Sequence, residues 1–94
     1  MRPRDDQHLV MSPDVLGRVL DGEVVLLDLA AGKYFGLFEP VGERLFALLT
    51  EGTTLAVLRR VLLDEFDVAP SVLDADLDRL LGELVARGLV RVSP

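Results

Sequence analysis

The chain contains no cysteine, a single histidine and a single tyrosine, and no uninterrupted apolar run that approaches a membrane span. Without cysteine there is no disulfide, no thiolate metal site and no thiol nucleophile, and the composition suits a reducing cytosol. The opening MRPRDDQHLV places two arginines ahead of Asp5 and Asp6 with no apolar stretch of signal-peptide length behind them, so export is not expected and the location read from the sequence is cytoplasmic. Positive charge is also scarce. Ten Lys and Arg face sixteen Asp and Glu, giving a formal net charge of -6, which opposes a phosphate backbone and favours protein or peptide partners over nucleic acid or a membrane surface.

Catalytic residues are equally sparse. His8 has no cysteine or second histidine beside it and reads as an exposed strand-edge residue rather than a ligand or acid-base group. Ser12 precedes a proline, Ser71 stands where a helix cap belongs, and Ser93 is almost terminal, so none forms a nucleophile-base pair. The glycines punctuate turns and helix ends singly and build no phosphate loop. Asp74, Asp76 and Asp78 alternate along a helix and therefore diverge instead of converging on one cation; their simplest role is to complement the positive end of the helix dipole. The expectation is a non-enzyme without cofactor, metal or catalytic residue.

What the sequence does hold is apolar residues in two successive periods. Half of its 94 residues are apolar, which suits one core. Residues 1–8 lack periodicity and read as a flexible arm, and residues 9–94 as the domain, with 9–11 able to add a short strand. Residues 15–20 meet Asp21-Gly22, a dipeptide suited to a tight hairpin, and 23–29 run β-branched and apolar. Ala30-Ala31-Gly32 turns the chain again into 33–37, the third strand of this ribbon.

Beyond Pro40 the period becomes helical. Val41, Leu45, Leu48 and Leu49 share one face and Gly52 closes that helix. Thr53 is placed to cap a second helix with the stripe Leu55, Leu58, Leu62 and Phe66. Ser71 with Asp74 resembles a capping box opening a third and longest helix, which turns Leu73, Leu77, Leu80, Leu81 and Leu84 inward and stops at Gly88. Residues 89–92 can close as a short strand. The fold class is α+β and winged-helix-like: an N-terminal three-stranded antiparallel sheet followed by a three-helix bundle.

That layout leaves a sheet edge open, and an open edge offers unpaired N–H and C=O groups to an extended peptide. Along 33–37, Tyr34 and Gly36 face one way and Lys33, Phe35 and Leu37 the other. Phe35 and Leu37 suit the core; Lys33 and Tyr34 are the better candidates for contact, and Gly36 permits a close backbone approach. The winged-helix rival is a small transcriptional regulator with the third helix in DNA, but residues 71–88 carry Asp74, Asp76, Asp78 and Glu83 against only Arg79 and Arg87. A self-pairing oligomerisation module is the other alternative.

The segments LLDLAAGKYFGL, VGERLFALL, EGTTLAVLRRVLLDEFDV and DADLDRLLGELVARGLVRV, taken in order, resemble the PqqD-like family, the precursor-peptide recognition elements of ribosomally made, modified peptides, over residues 15–92. The third strand looks most like that of the stand-alone members found with lasso-peptide pathways. The resemblance implies a non-catalytic adaptor that binds a precursor leader peptide as an added strand and presents it to a transglutaminase-like leader peptidase. By position, Lys33, Tyr34, Phe35, Gly36 and Leu37 would form the pairing strand, with Val72, Leu73, Asp76, Leu77 and Leu80 on the helix side. The chain departs from the family pattern at Leu37-Phe38-Glu39-Pro40, where the lead into the first helix is one residue longer, and Phe38 becomes a further candidate for partner contact.

Overall fold

In the structure, a computed structural model that describes residues 4–21, 23–37 and 41–93, the change of period at residue 40 is the change from strands to helices. Gly22 of the first turn and the departure at 38–40, with Phe38, lie outside the described residues. In chain order the elements are β1 (His8–Met11), β2 (Val15–Leu20), β3 (Glu23–Asp28), β4 (Lys33–Leu37), α1 (Gly42–Glu51), β5 (Thr53–Thr54), α2 (Leu55–Glu65), α3 (Pro70–Ala86) and β6 (Val90–Ser93). This is the α+β arrangement read from the sequence.

The ribbon β2-β3-β4 is antiparallel throughout, with Leu16 opposite Leu27 and Leu27 opposite Tyr34, so these three stand in one cross-strand row. Asp21 takes the left-handed conformation (φ 52°) that its hairpin requires. At the second turn the Asp28 carboxylate accepts the N–H groups of Ala30 and Ala31, both at 3.1 Å, and Gly32 has φ 67°. Gly17 on β2 makes room for a helix: an added Cβ would fall within the Phe46 ring of α1.

The short strands at either end of the chain do not extend this ribbon. β1 sits between β5 and β6 in a second antiparallel sheet, pairing Leu9 with Thr53 on one side and with Val92 on the other. The segment ahead of β1 lies against α2: the Asp5 carbonyl accepts Ala56 N–H, and its carboxylate meets Arg59 Nη2 at 3.4 Å. Arg59 Nε also donates to Asp74 at 2.7 Å. That hydrogen bond, with the negative charges of Asp74 and Asp5, pushes the arginine's pKa above its already high ordinary value against a smaller opposing effect of burial.

Two helix caps differ from the sequence reading. Thr54, not Thr53, is the N-cap of α2, its hydroxyl accepting Val57 N–H at 3.2 Å, while the Thr53 side chain is buried. α3 starts one residue before Ser71, with Pro70 in its first turn and Ala69 as a cap without a side-chain hydrogen bond. Proline has no N–H to satisfy there and is already set to helical φ, so the expected Ser71–Asp74 box does not form and Asp74 is free to receive Arg59. Gly52 and Gly88, as expected, leave their helices through positive φ, at 92° and 73°.

The core is almost entirely leucine. Leu9, Leu26, Leu37, Leu45, Leu49, Leu58, Leu62, Leu81 and Leu84 have no accessible surface, and α3 adds Leu73, Leu77 and Leu80 from its inner face. Burying each such side chain stabilises the fold by about 1.5–3 kcal/mol, an upper figure before chain entropy is counted. With few aromatic residues available, one leucine-rich core joins both sheets to the helices and leaves β4 at the edge.

Candidate peptide-binding edge

Among the described residues, β4 pairs only with β3, so its other side presents free backbone donors and acceptors. Lys33 and Tyr34 are exposed, Tyr34 at 73% of its surface; Phe35 and Gly36 are half-buried; Leu37 lies wholly in the core. The five residues read as a pairing strand thus form one continuous edge that is open at its start and anchored at its end.

α3 meets this edge through its C-terminal end. The Arg87 guanidinium at its C-terminus sits 5.0 Å from the centroid of the Phe35 ring. Beside that contact is a concavity of about 160 Å³ bounded by Lys33, Tyr34, Phe35, Arg87 and Leu89, with Asp28 and Ala31 at the turn. Near the N-terminus of α3 a second concavity of about 300 Å³ is bounded by Val41, Phe66, Val68, Val72 and Leu73, with Asp67 and Asp76 as its charged members. Of the helix residues named from the sequence, Val72 and Asp76 face this opening, Val72 exposing 52% of its surface, and Leu73 forms its floor; Leu77 and Leu80 are buried in the core. Asp76 also faces Arg79, one turn on, at 3.7 Å.

Arg87, Leu89, Phe66 and Val68 were missed by the sequence reading. Arg87 looked like an ordinary residue of a helix end, and its contact with Phe35 joins positions 52 apart in sequence, for which no local spacing is a signal. Tyr34 also belongs to a third surface. On the ribbon's outer face it joins Leu16, Leu20, Val25 and Leu27 around a concavity of about 240 Å³, beside Arg18. Leu16 and Leu20 expose 48% and 57% of their surfaces there.

Among the described residues no three His, Cys, Asp or Glu side chains group as metal ligands, and no helix is long and apolar enough to cross a membrane. His8 is exposed at the start of β1, beside Gly52. An unpaired strand with one concavity at its start, and a second, apolar one at the N-terminal end of the helix beside it, has the geometry to hold an extended polypeptide.

Comparison with known proteins agrees with this geometry. The family model described as coenzyme PQQ synthesis protein D (PqqD) matches residues 23–90, which take in the whole site from β3 to the end of α3. The solved structure of TbiB1 in complex with the TbiA(beta) leader peptide superimposes with a TM-score of 0.75 at 34% sequence identity, covering 87% of this chain and 94% of that one. No curated protein matches significantly. From a family match across most of its length and a shared fold at this identity, the chain belongs to the PqqD family.

Proposed function

We propose that this protein binds the leader segment of a ribosomally made precursor peptide by adding it as a strand to β4, and hands the bound peptide to a leader peptidase of a lasso-peptide type pathway. The observation that carries this reading is the open β4 edge beside α3, in a chain 34% identical to a protein solved with its leader peptide. Main-chain hydrogen bonds to β4 supply affinity with little demand on sequence, and the concavities at the start of the edge and at the N-terminal end of α3 supply selectivity. The protein itself performs no bond chemistry in this scheme. Its contribution is to fix an otherwise disordered segment, a step that costs several kcal/mol of the gross interaction and keeps affinity modest unless anchors are well buried.

Delivery draws its support from the outer face of the ribbon. Leu16, Leu20, Leu27 and Tyr34 form an apolar patch directly continuous with the β4 edge, and contiguous apolar patches on small soluble domains mark protein-contact surfaces. The acidic α3, whose 17 residues carry Asp74, Asp76, Asp78 and Glu83 against one arginine, speaks against the DNA-binding alternative. Isothermal titration with a synthetic leader peptide of a lasso-type precursor tests the reading: saturable binding that Tyr34→Ala and Asp76→Ala weaken supports it, and unchanged affinity in both variants removes the site.

A further inference from the structure

The concavity at the Lys33 end of β4 is lined by two cations, Lys33 and Arg87, and one carboxylate, Asp28, which leaves it net positive. Among the described residues no carboxylate lies within ion-pair distance of Lys33 or Arg87. Lys33 is the only lysine of a chain of net charge -6, and here it stands beside an arginine at the open edge. Arg87 has a structural reason for its place, stacked on Phe35 and at the negative end of α3. Neither reason applies to Lys33. Asp28 stands opposite Lys33 in the β3–β4 register, but its carboxylate is engaged by the amides of Ala30 and Ala31 in the turn. Near the N-terminus of α3 the charge is reversed: Asp67 and Asp76 rim the apolar concavity of Val41, Val72 and Leu73.

We infer that this protein selects extended peptides that carry a carboxylate side chain at the Lys33–Arg87 end of the edge, at a fixed distance from an apolar anchor at the Val72 end. The inference rests on the strand-addition reading above and adds the chemistry of the ligand. Every pairing in the ribbon is antiparallel, the more stable arrangement per residue, so an added strand runs from Leu37 toward Lys33. Its apolar anchor therefore precedes its acid. Side chains opposite Leu37, Phe35 and Lys33 point to the same face, and the Val72 concavity, lined by Val41 and by no residue of β4, lies past Leu37, so the acid follows the anchor by more than four residues. A peptide of opposite charge order, or one entering in the reverse direction, would bring its acid to Asp67 and Asp76 and be repelled.

Selection from a phage-displayed random dodecapeptide library, with the intact protein as bait, tests this. The wild-type protein is expected to enrich peptides with Asp or Glu more than four residues after a large apolar residue, at one constant spacing. The double variant Lys33→Glu, Arg87→Glu is expected to lose that preference and favour Lys or Arg at the same position, with circular dichroism confirming its fold. Lys33→Glu alone, at an exposed position that supports no packing, carries the same test should the double variant not fold. For one enriched peptide, replacing its acid by lysine should weaken wild-type binding about tenfold and be rescued by the charge-reversed protein. Enriched peptides without an acid at that position, or the same peptides for both proteins, would overturn the charge selection while leaving strand addition standing. Recovery of no peptide by the wild-type protein would overturn strand addition, and this inference with it.

Discussion

Arg87 and Phe35 clasp the C-terminal end of α3 to the open strand β4, guanidinium over ring at 5.0 Å. The contact spans the mouth of the concavity beside Lys33, so one interaction shapes the site and also steadies the edge. Cation–π pairs of this exposure contribute about 0.5–1 kcal/mol. A double-mutant cycle of Arg87→Ala and Phe35→Ala, followed by urea unfolding, should give a coupling energy of about that size. Phe35→Ala alone should cost more than Arg87→Ala, since the half-buried ring also packs against the core.

Tyr34 separates binding from folding most cleanly. With 73% of its surface exposed, Tyr34→Ala should change stability by no more than about 0.5 kcal/mol. The same substitution should lower leader affinity by about threefold to tenfold, because an edge aromatic is the kind of side chain that anchors an interface. Asp76→Ala should behave similarly, its 3.7 Å pairing with Arg79 lying at the surface, where ion pairs add little. Titration calorimetry read beside urea midpoints checks both.

Gly52 should show the opposite pattern. It ends α1 at φ 92°, and an added Cβ would meet the His8 ring. Gly52→Ala is therefore expected to destabilise the domain by about 1–2 kcal/mol, seen as a lower melting temperature, with leader affinity unchanged at temperatures where the variant is folded.

Leu9 tests whether the start of the chain is part of the core. It is fully buried in β1, between Thr53 of β5 and Val92 of β6. Leu9→Ala should cost about 2–5 kcal/mol in urea unfolding, the range for truncating a buried leucine.

These residues also show how far the sequence could be read. The ribbon, the three helices and the leucines of α3 follow from periods of two and about 3.6, and Gly32, Gly52 and Gly88 end their elements where their conformational freedom is needed. Local signals failed where a distant partner decided the outcome. Ser71 and Asp74 have the spacing of a capping box, but Pro70 opens the helix and Arg59, fifteen positions away, takes Asp74. Thr53 has the spacing of a cap, but packing against the distant β1 buries its side chain, and Thr54 caps α2 instead. For the site, the β4 residues were legible from alternation and an adjoining turn. Arg87, Leu89 and Phe66 were not, since only the packing of α3 brings them alongside.

The ribbon has two edge strands, β2 and β4, and strand addition at β4 distinguishes them. Amide hydrogen exchange followed by NMR, residue by residue, with and without saturating leader peptide, is the most direct test. Alternate amides of residues 33–37, those directed away from β3, should pass from fast exchange to strong protection when peptide is bound, while the outward amides of Val15–Leu20 keep their rates. Protection that appears on Val15–Leu20 instead, or bound peptide that leaves the amides of residues 33–37 exchanging freely, would contradict strand addition at β4.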